Sequence, residues 1–272
     1  AGFGNGLVAC FGSEGKRIWV QVIEQPLTLE HGRSASAVLV GDKLLVQMAY
    51  LVALDSKDGK LLWEAKDATC TYGSSVASKI GGVDVVITPN GCVVRISDGT
   101  ILAKDIGALS INTSPVVQDG VVYFLEIETK AVKLADVIKG DLVATKTLWG
   151  GEMEGETFSS SLIHDGLIYS MSNQGVLRVS DAATGKPVYT KETEIPVSGK
   201  TPKNANIYPC VTLGGKYIYL SNDKGDTFVI EPGKKYQEIK RNELSSGAGS
   251  SPVFSGNRIL LRGENCIYCV AP

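Results

Sequence analysis

Side chains that usually carry chemistry are sparse in this sequence. Its two histidines, His31 and His164, have no histidine, cysteine or paired carboxylate at metal-ligand spacing, which excludes a multi-histidine zinc or iron centre. Six cysteines, Cys10, Cys70, Cys92, Cys210, Cys266 and Cys269, are scattered apart from the last two. A chain of 272 residues needs no disulfide staples, so most of these thiols are expected to be buried small apolar groups. Cys266 and Cys269, three apart in a strand-like stretch, should point to opposite faces and stay unbonded to each other. Asp55-Ser56-Lys57-Asp58-Gly59 begins like a calcium loop but lacks the later ligands and the closing glutamate. Gly-Lys pairs at 15–16, 59–60 and 185–186 lack the upstream glycine spacing and downstream helix of a phosphate loop. No Gly-x-Ser-x-Gly elbow or HExxH pair occurs, and the balance of residues is against an enzyme.

The elements that must position these side chains follow from composition and repetition. Basic and acidic residues number 27 and 29, a formal charge of −2, which excludes nucleic-acid binding through bulk positive charge. At 43% hydrophobic and 21% charged, the chain can bury a large core. No run of ~18 apolar residues marks a membrane-spanning helix. Glycine makes up 31 of the 272 residues, about 11% where ~7% is usual. Helix-forming runs are few, so a turn-rich all-β chain is expected.

Two phrases recur. Ser114-Pro115-Val116-Val117-Gln118-Asp119-Gly120-Val121-Val122-Tyr123 aligns with Ser160-Ser161-Leu162-Ile163-His164-Asp165-Gly166-Leu167-Ile168-Tyr169, each a strand, an Asp-Gly turn and a second strand. Weaker copies start at Ser36, Ser75, Pro209 and Ser251, so the starts lie 39 to 49 residues apart. The second phrase, residues 53–63, matches residues 9–19 and 179–189 at identical spacing: strand, turn closed by Gly-Lys, strand ending in an aromatic. Asp55 and Asp181 cap these turns, and the glycine takes a positive φ. The aromatics Trp19, Trp63 and Tyr189, with Trp149 in a decayed copy, are wedges between neighbouring units.

Two hairpins per ~40–45 residues make a four-stranded meander that cannot bury both faces alone. Radial stacking solves this, and the fold expected is a β-propeller of four-stranded antiparallel blades in one domain, 1–272. Residues 32–66, 73–107, 112–150, 158–193 and 206–240 read as five whole blades, with partial blades at 1–24 and 247–272, about six to seven in all. The last piece ends on a third strand and the first piece starts on one, so joining the ends leaves a duplicate strand. That, with a start at Ala1-Gly2, leads to the expectation of a natural chain longer at its N-terminus. A closed six- or seven-bladed ring is the alternative.

The phrase Ala-x-Asp-x-x-x-Gly-Lys-x-x-Trp resembles the tryptophan-docking repeat of the pyrroloquinoline-quinone-like propellers. That superfamily holds quinoprotein alcohol dehydrogenases and cofactor-free proteins such as the lipoprotein subunit of the bacterial outer-membrane assembly machine. Residues 3–10, 50–55 and 261–269 are similar to an exported bacterial branch whose full propeller is eight-bladed. The resemblance implies a WD40-like propeller in the periplasm or outside the cell, serving as a monomeric platform for a protein, peptide or glycan. Its dehydrogenase members hold the quinone with calcium, using a catalytic aspartate, Glu and Asn ligands, a tryptophan floor and a disulfide between adjacent cysteines. This chain has no adjacent cysteines, and its three tryptophans all stand at the wedge position. No cofactor is therefore expected; an atypical quinoprotein oxidoreductase, with quinone and calcium at the channel mouth, is the alternative.

In such a propeller, partners would meet the face where the segments entering each innermost strand converge. Those segments contain His31, Arg33, Tyr72, Asn112, Phe158 and Tyr208. His31 and Arg33 could together hold a carboxylate or phosphate; alternatively they satisfy loop carbonyls. His164, beside an Asp-Gly turn, reads as surface. The long segment 192–207 reads as a flexible connector, with a lid or docking loop as the alternative.

Overall fold

The protein, a computed structural model, is described for residues 1–25, 32–200 and 204–271. Two compact units, residues 1–150 and 151–272, each have their own core. All regular structure among the described residues is strand. Among these residues no helix is long and apolar enough to cross a membrane.

In the first unit a two-stranded sheet pairs Leu7–Phe11 with Arg17–Val22. The second sheet is the meander Val38–Val40, Lys43–Gln47, Tyr50–Asp55 and Leu61–Thr69. The third is Val76–Ile80, Val83–Ile87, Val93–Arg95 and Ile101–Ala103, and the fourth Val116–Gln118, Val121–Leu125, Glu128–Lys139 and Leu142–Glu152. The second unit holds the fifth sheet, Leu162–His164, Leu167–Met171, Val176–Asp181 and Pro187–Glu192, and the sixth, Thr212–Gly214, Tyr217–Ser221, Asp226–Ile230 and Glu238–Glu243. The seventh has three strands, Val253–Ser255, Arg258–Arg262 and Ile267–Val270. The sheets fall where the repeats place them. At both Asp-Gly turns the two central residues are left-handed, with Asp119 at φ 51° and Gly120 at 71°, and Asp165 at 49° and Gly166 at 71°. That geometry matches the twist of the flanking strands.

Alternation along single strands explains how one sheet buries both faces. Leu51 and Ala53 of the second sheet pack on Val86 and Val94 of the third, while Val52 and Leu54 of the same strand pack on Val8 and Trp19 of the first. Val85, Ile87 and Val93 turn the other way, onto Val122, Phe124 and Val132 of the fourth sheet. In the second unit Tyr169, Leu177 and Val179 share a core with Ile218, Leu220 and Phe228. Each fully buried Val, Leu or Ile contributes about 1.5–3 kcal/mol, which a lone meander would forfeit.

Trp19 and Trp63 fasten sheet to sheet. Trp19 Nε1 donates to the Ser56 carbonyl at 2.9 Å, and Trp63 Nε1 to the Ile96 carbonyl at 3.0 Å. Each ring lies flat on a turn glycine of the next sheet. A Cβ on Gly59 would fall 2.6 Å from Trp19 Cε3, and one on Gly99 2.7 Å from Trp63 Cε3. Both glycines have φ near the left-handed value, 78° and 77°, so they meet two demands at once. Trp149 packs at 6.1 Å on Tyr123 of its own sheet. Tyr189 Oη is buried without a hydrogen-bond partner, and burial pushes its pKa up to about 12.

Two expectations need correction. The cysteines do not mostly turn inward: Cys70 and Cys92 are buried, Cys10 and Cys210 half-buried, and Cys266 and Cys269 exposed, all unpaired. Cys266 flanks and Cys269 occupies the third strand of the seventh sheet, which has three strands among the described residues. The described residues of segment 192–207 are not a loose connector. Ile195, Val197, Ala205 and Ile207 are buried, Thr193 Oγ1 donates to the Gly175 carbonyl at 2.6 Å, and Asn222 Nδ2 donates to the Pro196 carbonyl at 3.0 Å.

Candidate functional site

Three pairs of neighbouring segments that enter first strands are stitched together by hydroxyls. Ser36 N–H donates to Ser74 Oγ at 2.8 Å, and Ser74 N–H to Ser114 Oγ at 2.9 Å. In the second unit Cys210 N–H donates to Ser251 Oγ at 2.9 Å. Each of these residues stands two places before a first strand, so a hydroxyl there closes a rung to the neighbouring segment. The repeats carried this signal in the serines at 36, 114, 160 and 251.

Of the candidate residues in the first unit, Arg33 is half-buried and its guanidinium is engaged. Nη2 donates to the Gln25 carbonyl at 2.7 Å and Nη1 lies 3.0 Å from Met48 Sδ. Loss of water around it lowers its pKa from the ordinary value. It lines a cavity of 340 Å³ with Phe3, Val46 and Met48. His31 lies outside the described residues. Tyr72 is tied through its backbone, its N–H donating to the Ile111 carbonyl at 2.9 Å and its carbonyl accepting from Ser34 Oγ at 3.2 Å.

Asn112 leads to a residue that motif reasoning missed. Glu126, 1% exposed, turns its carboxylate into the loop 110–113. It accepts from the N–H groups of Ile111 at 2.9 Å, Asn112 at 3.0 Å and Thr113 at 3.1 Å, from Asn112 Nδ2 at 2.9 Å and from Ser110 Oγ at 2.9 Å. This satisfies a buried carboxylate with charge-assisted bonds and fixes the loop. Leu109 and Ile111 stand exposed from that segment, as does Ile127 next to Glu126. The available signal was a break in the repeat. Thr88, Ser172 and Asn222 occupy the corresponding place in other sheets and cap their own turns, each three residues before a glycine.

In the second unit the structure brings Phe158 and Tyr208 together, with ring centroids 5.6 Å apart and planes at 21°. Tyr208 also borders a cavity of 590 Å³ lined by Asp223, Lys224, residues 245–249, Arg262 and Glu264. Asp223 Oδ1 accepts from Asn206 N–H at 2.8 Å, which sets the neighbouring backbone. Asp55 and Asp181 cap their turns: Lys57 N–H donates to the first at 2.8 Å and Thr184 N–H to the second at 2.9 Å. His164 Nε2 lies 3.3 Å from the Asp165 carboxylate beside its turn.

The residues do not fit a quinone with calcium. The rings of Trp19 and Trp63 are spent on Gly59 and Gly99 and cannot floor a cofactor. Among the described residues no group of three or more His, Cys, Asp or Glu side chains could hold a metal ion. What the geometry offers is braced apolar and aromatic surface.

Comparison with known proteins agrees with this layout. A family model described as outer membrane protein assembly factor BamB matches residues 4–143, just over half of the chain. Outer membrane protein assembly factor BamB of Moranella endobia (strain PCIT) is 23% identical over 254 residues, 86% of this chain. The chain spans 61% of the length of that curated relative. Among solved structures, BamB from Moraxella catarrhalis superposes with a TM-score of 0.71 at 14% identity, over 97% of this chain and 76% of that one. The C-terminal WD40 domain of Sif2 superposes with a TM-score of 0.65 at 13% identity, over 98% of this chain and 76% of that one. At such identities the likeness shows the fold alone: the sheets are blades of a β-propeller.

Proposed function

Because the chain belongs to the family of the outer membrane protein assembly factor BamB, we propose that it is a non-enzymatic, extracytoplasmic β-propeller that binds protein partners during outer membrane protein assembly. It acts as a monomeric platform and needs neither cofactor nor nucleic acid. One observation above the others supports this reading. Glu126 braces the loop 110–113, so Leu109, 58% exposed, and Ile111, 38% exposed, are presented on backbone that is already ordered. Leu109 N–H is itself held by Glu128 at 3.2 Å. Apolar groups presented this way bury area on a partner at little ordering cost.

The test is co-purification of the tagged chain with the other outer membrane protein assembly factors of the same cells, identified by mass spectrometry. Wild type recovers at least one such factor, and Leu109→Asp with Ile111→Asp lowers recovery by roughly tenfold, as loss of a central apolar anchor does. Equal recovery by the variant refutes the reading, and so does alcohol or sugar oxidation by the purified chain that depends on added quinone and calcium.

A further inference from the structure

We infer that the 590 Å³ cavity beside Tyr208 is a saccharide site that takes a neutral hexose or N-acetylhexosamine ring against the tyrosine. The cavity lies in the second unit, apart from Leu109 and Ile111, so this inference does not rest on the protein-binding role. Its volume is that of a small-ligand pocket.

Tyr208 is 48% exposed yet held in place. It stacks on Phe158, and a Cβ at Gly249 would sit only 3.6 Å from Tyr208 Cδ2. Gly249 has φ 67°, a left-handed backbone that favours glycine. The strip 247–249 is backbone laid on backbone, since a Cβ on Gly247 would meet Gly225 N at 2.4 Å and the Asp223 carbonyl at 2.7 Å. The result is an aromatic plate fixed before any ligand arrives, bordered by a wall almost free of side chains.

Around this plate stand two cations, Lys224 and Arg262, and two carboxylates, Asp223 and Glu264. Their charges cancel, so the site exerts no net pull on an anion or a cation. It offers donors and acceptors side by side, which suits hydroxyls because each one both donates and accepts. Ser245 and Ser246 add hydroxyls oriented by Tyr268 Oη, at 2.7 and 3.3 Å. The C–H face of a sugar ring covers the tyrosine. A peptide would instead seek an open strand edge or apolar side pockets, and the only apolar side chains in this lining are Tyr208 and Ala248.

The experiment titrates maltotriose, cellobiose and N,N′-diacetylchitobiose into the chain by calorimetry and ligand-observed NMR, with galacturonate and a neutral tyrosine-containing peptide as counter-probes. We expect saturable binding of at least one neutral saccharide, weakened roughly tenfold by Tyr208→Ala. Glu264→Gln and Arg262→Ala, both at exposed side chains, should weaken it while circular dichroism stays unchanged, which guards against misfolding of the Tyr208 variant. Leu109→Asp should leave it intact, which separates this site from the protein-binding face. Binding of the free sugar alone assigns a soluble ligand, and equal binding of the same sugar in a polymer assigns a glycan chain; both support the site. Absence of saturable binding by every neutral probe at ~10 mM, binding indifferent to Tyr208→Ala, or preference for galacturonate or the peptide overturns it.

Discussion

Gly15→Ala and Gly59→Ala isolate the energy with which a tryptophan fastens one sheet to the next. The two glycines occupy the same place in the repeat and share a left-handed backbone, φ 74° and 78°. An alanine in that region costs about 1–2 kcal/mol from local sterics alone. At Gly15 a Cβ meets nothing within 4 Å, so that is the whole cost. At Gly59 the Cβ lands 2.6 Å from Trp19 Cε3 and 2.8 Å from Cδ2. The ring cannot retreat, because its Nε1 is bonded to the Ser56 carbonyl and only 8% of the residue is exposed. Overpacking of this kind adds about 1–3 kcal/mol, so Gly59→Ala should lose roughly 2–5 kcal/mol against roughly 1–2 for Gly15→Ala. Urea unfolding followed by tryptophan fluorescence measures both, and thermal unfolding should fall by about 2–4 °C per kcal/mol. Trp19→Ala supplies the cycle: in its background Gly59→Ala should cost no more than Gly15→Ala. Equal losses for the two glycines, or an unchanged Gly59 cost without the tryptophan, refute the wedge.

Glu126→Ala strands three backbone N–H groups of the loop 111–113 and should cost about 1–3 kcal/mol, with amide exchange at those positions accelerating; an unaltered exchange rate contradicts the brace. Asp181→Ala removes the bonds from Thr184 N–H and Oγ1 and should cost about 0.5–1 kcal/mol at this exposed turn. Those bonds hold the Asp181 carboxyl below its ordinary value, led by the Thr184 hydroxyl. Its contribution is therefore complete above the unfolded pKa of ~3.9 and is lost as pH falls through the folded value. The gap between wild type and variant should close in acid, and a gap that widens there reverses the sign of the argument. Burial pushes the Cys70 thiol up to about 12, so native alkylation near pH 8 should label Cys266 and Cys269 first and Cys70 last. Peptide mass spectrometry showing Cys70 reacting as fast as Cys269 would refute the assigned burial.

Features that act within one hairpin could be read from the sequence, and features that act between distant segments could not. An Asp-Gly pair sets its own turn, and an Asp capping residues two or three places on needs no partner from elsewhere; both repeat, and both occur where the phrases put them. The copies counted from Ser75 and Pro209 are each one residue off, since the rungs come from Ser74 and Cys210, the residues two places before the first strands Val76–Ile80 and Thr212–Gly214. Glu126 was invisible for a different reason. Its donors lie 13 to 16 residues upstream, and no local rule links an exposed-looking glutamate to that loop. The same holds for Tyr208, whose stacking partner Phe158 is 50 positions away and whose wall, residues 247–249, is some 40 further on. Repetition conceals such residues, because a repeat reports what every sheet needs, which is packing and turn chemistry. A site serves one place in the molecule, so it shows up where a copy departs from its siblings. Glu126 stands where others carry Thr88, Ser172 or Asn222, and the glycines at 247 and 249 bracket a strip laid bare beside one tyrosine. Departures from the repeat, read against backbone geometry, locate candidate sites that motif counting passes over.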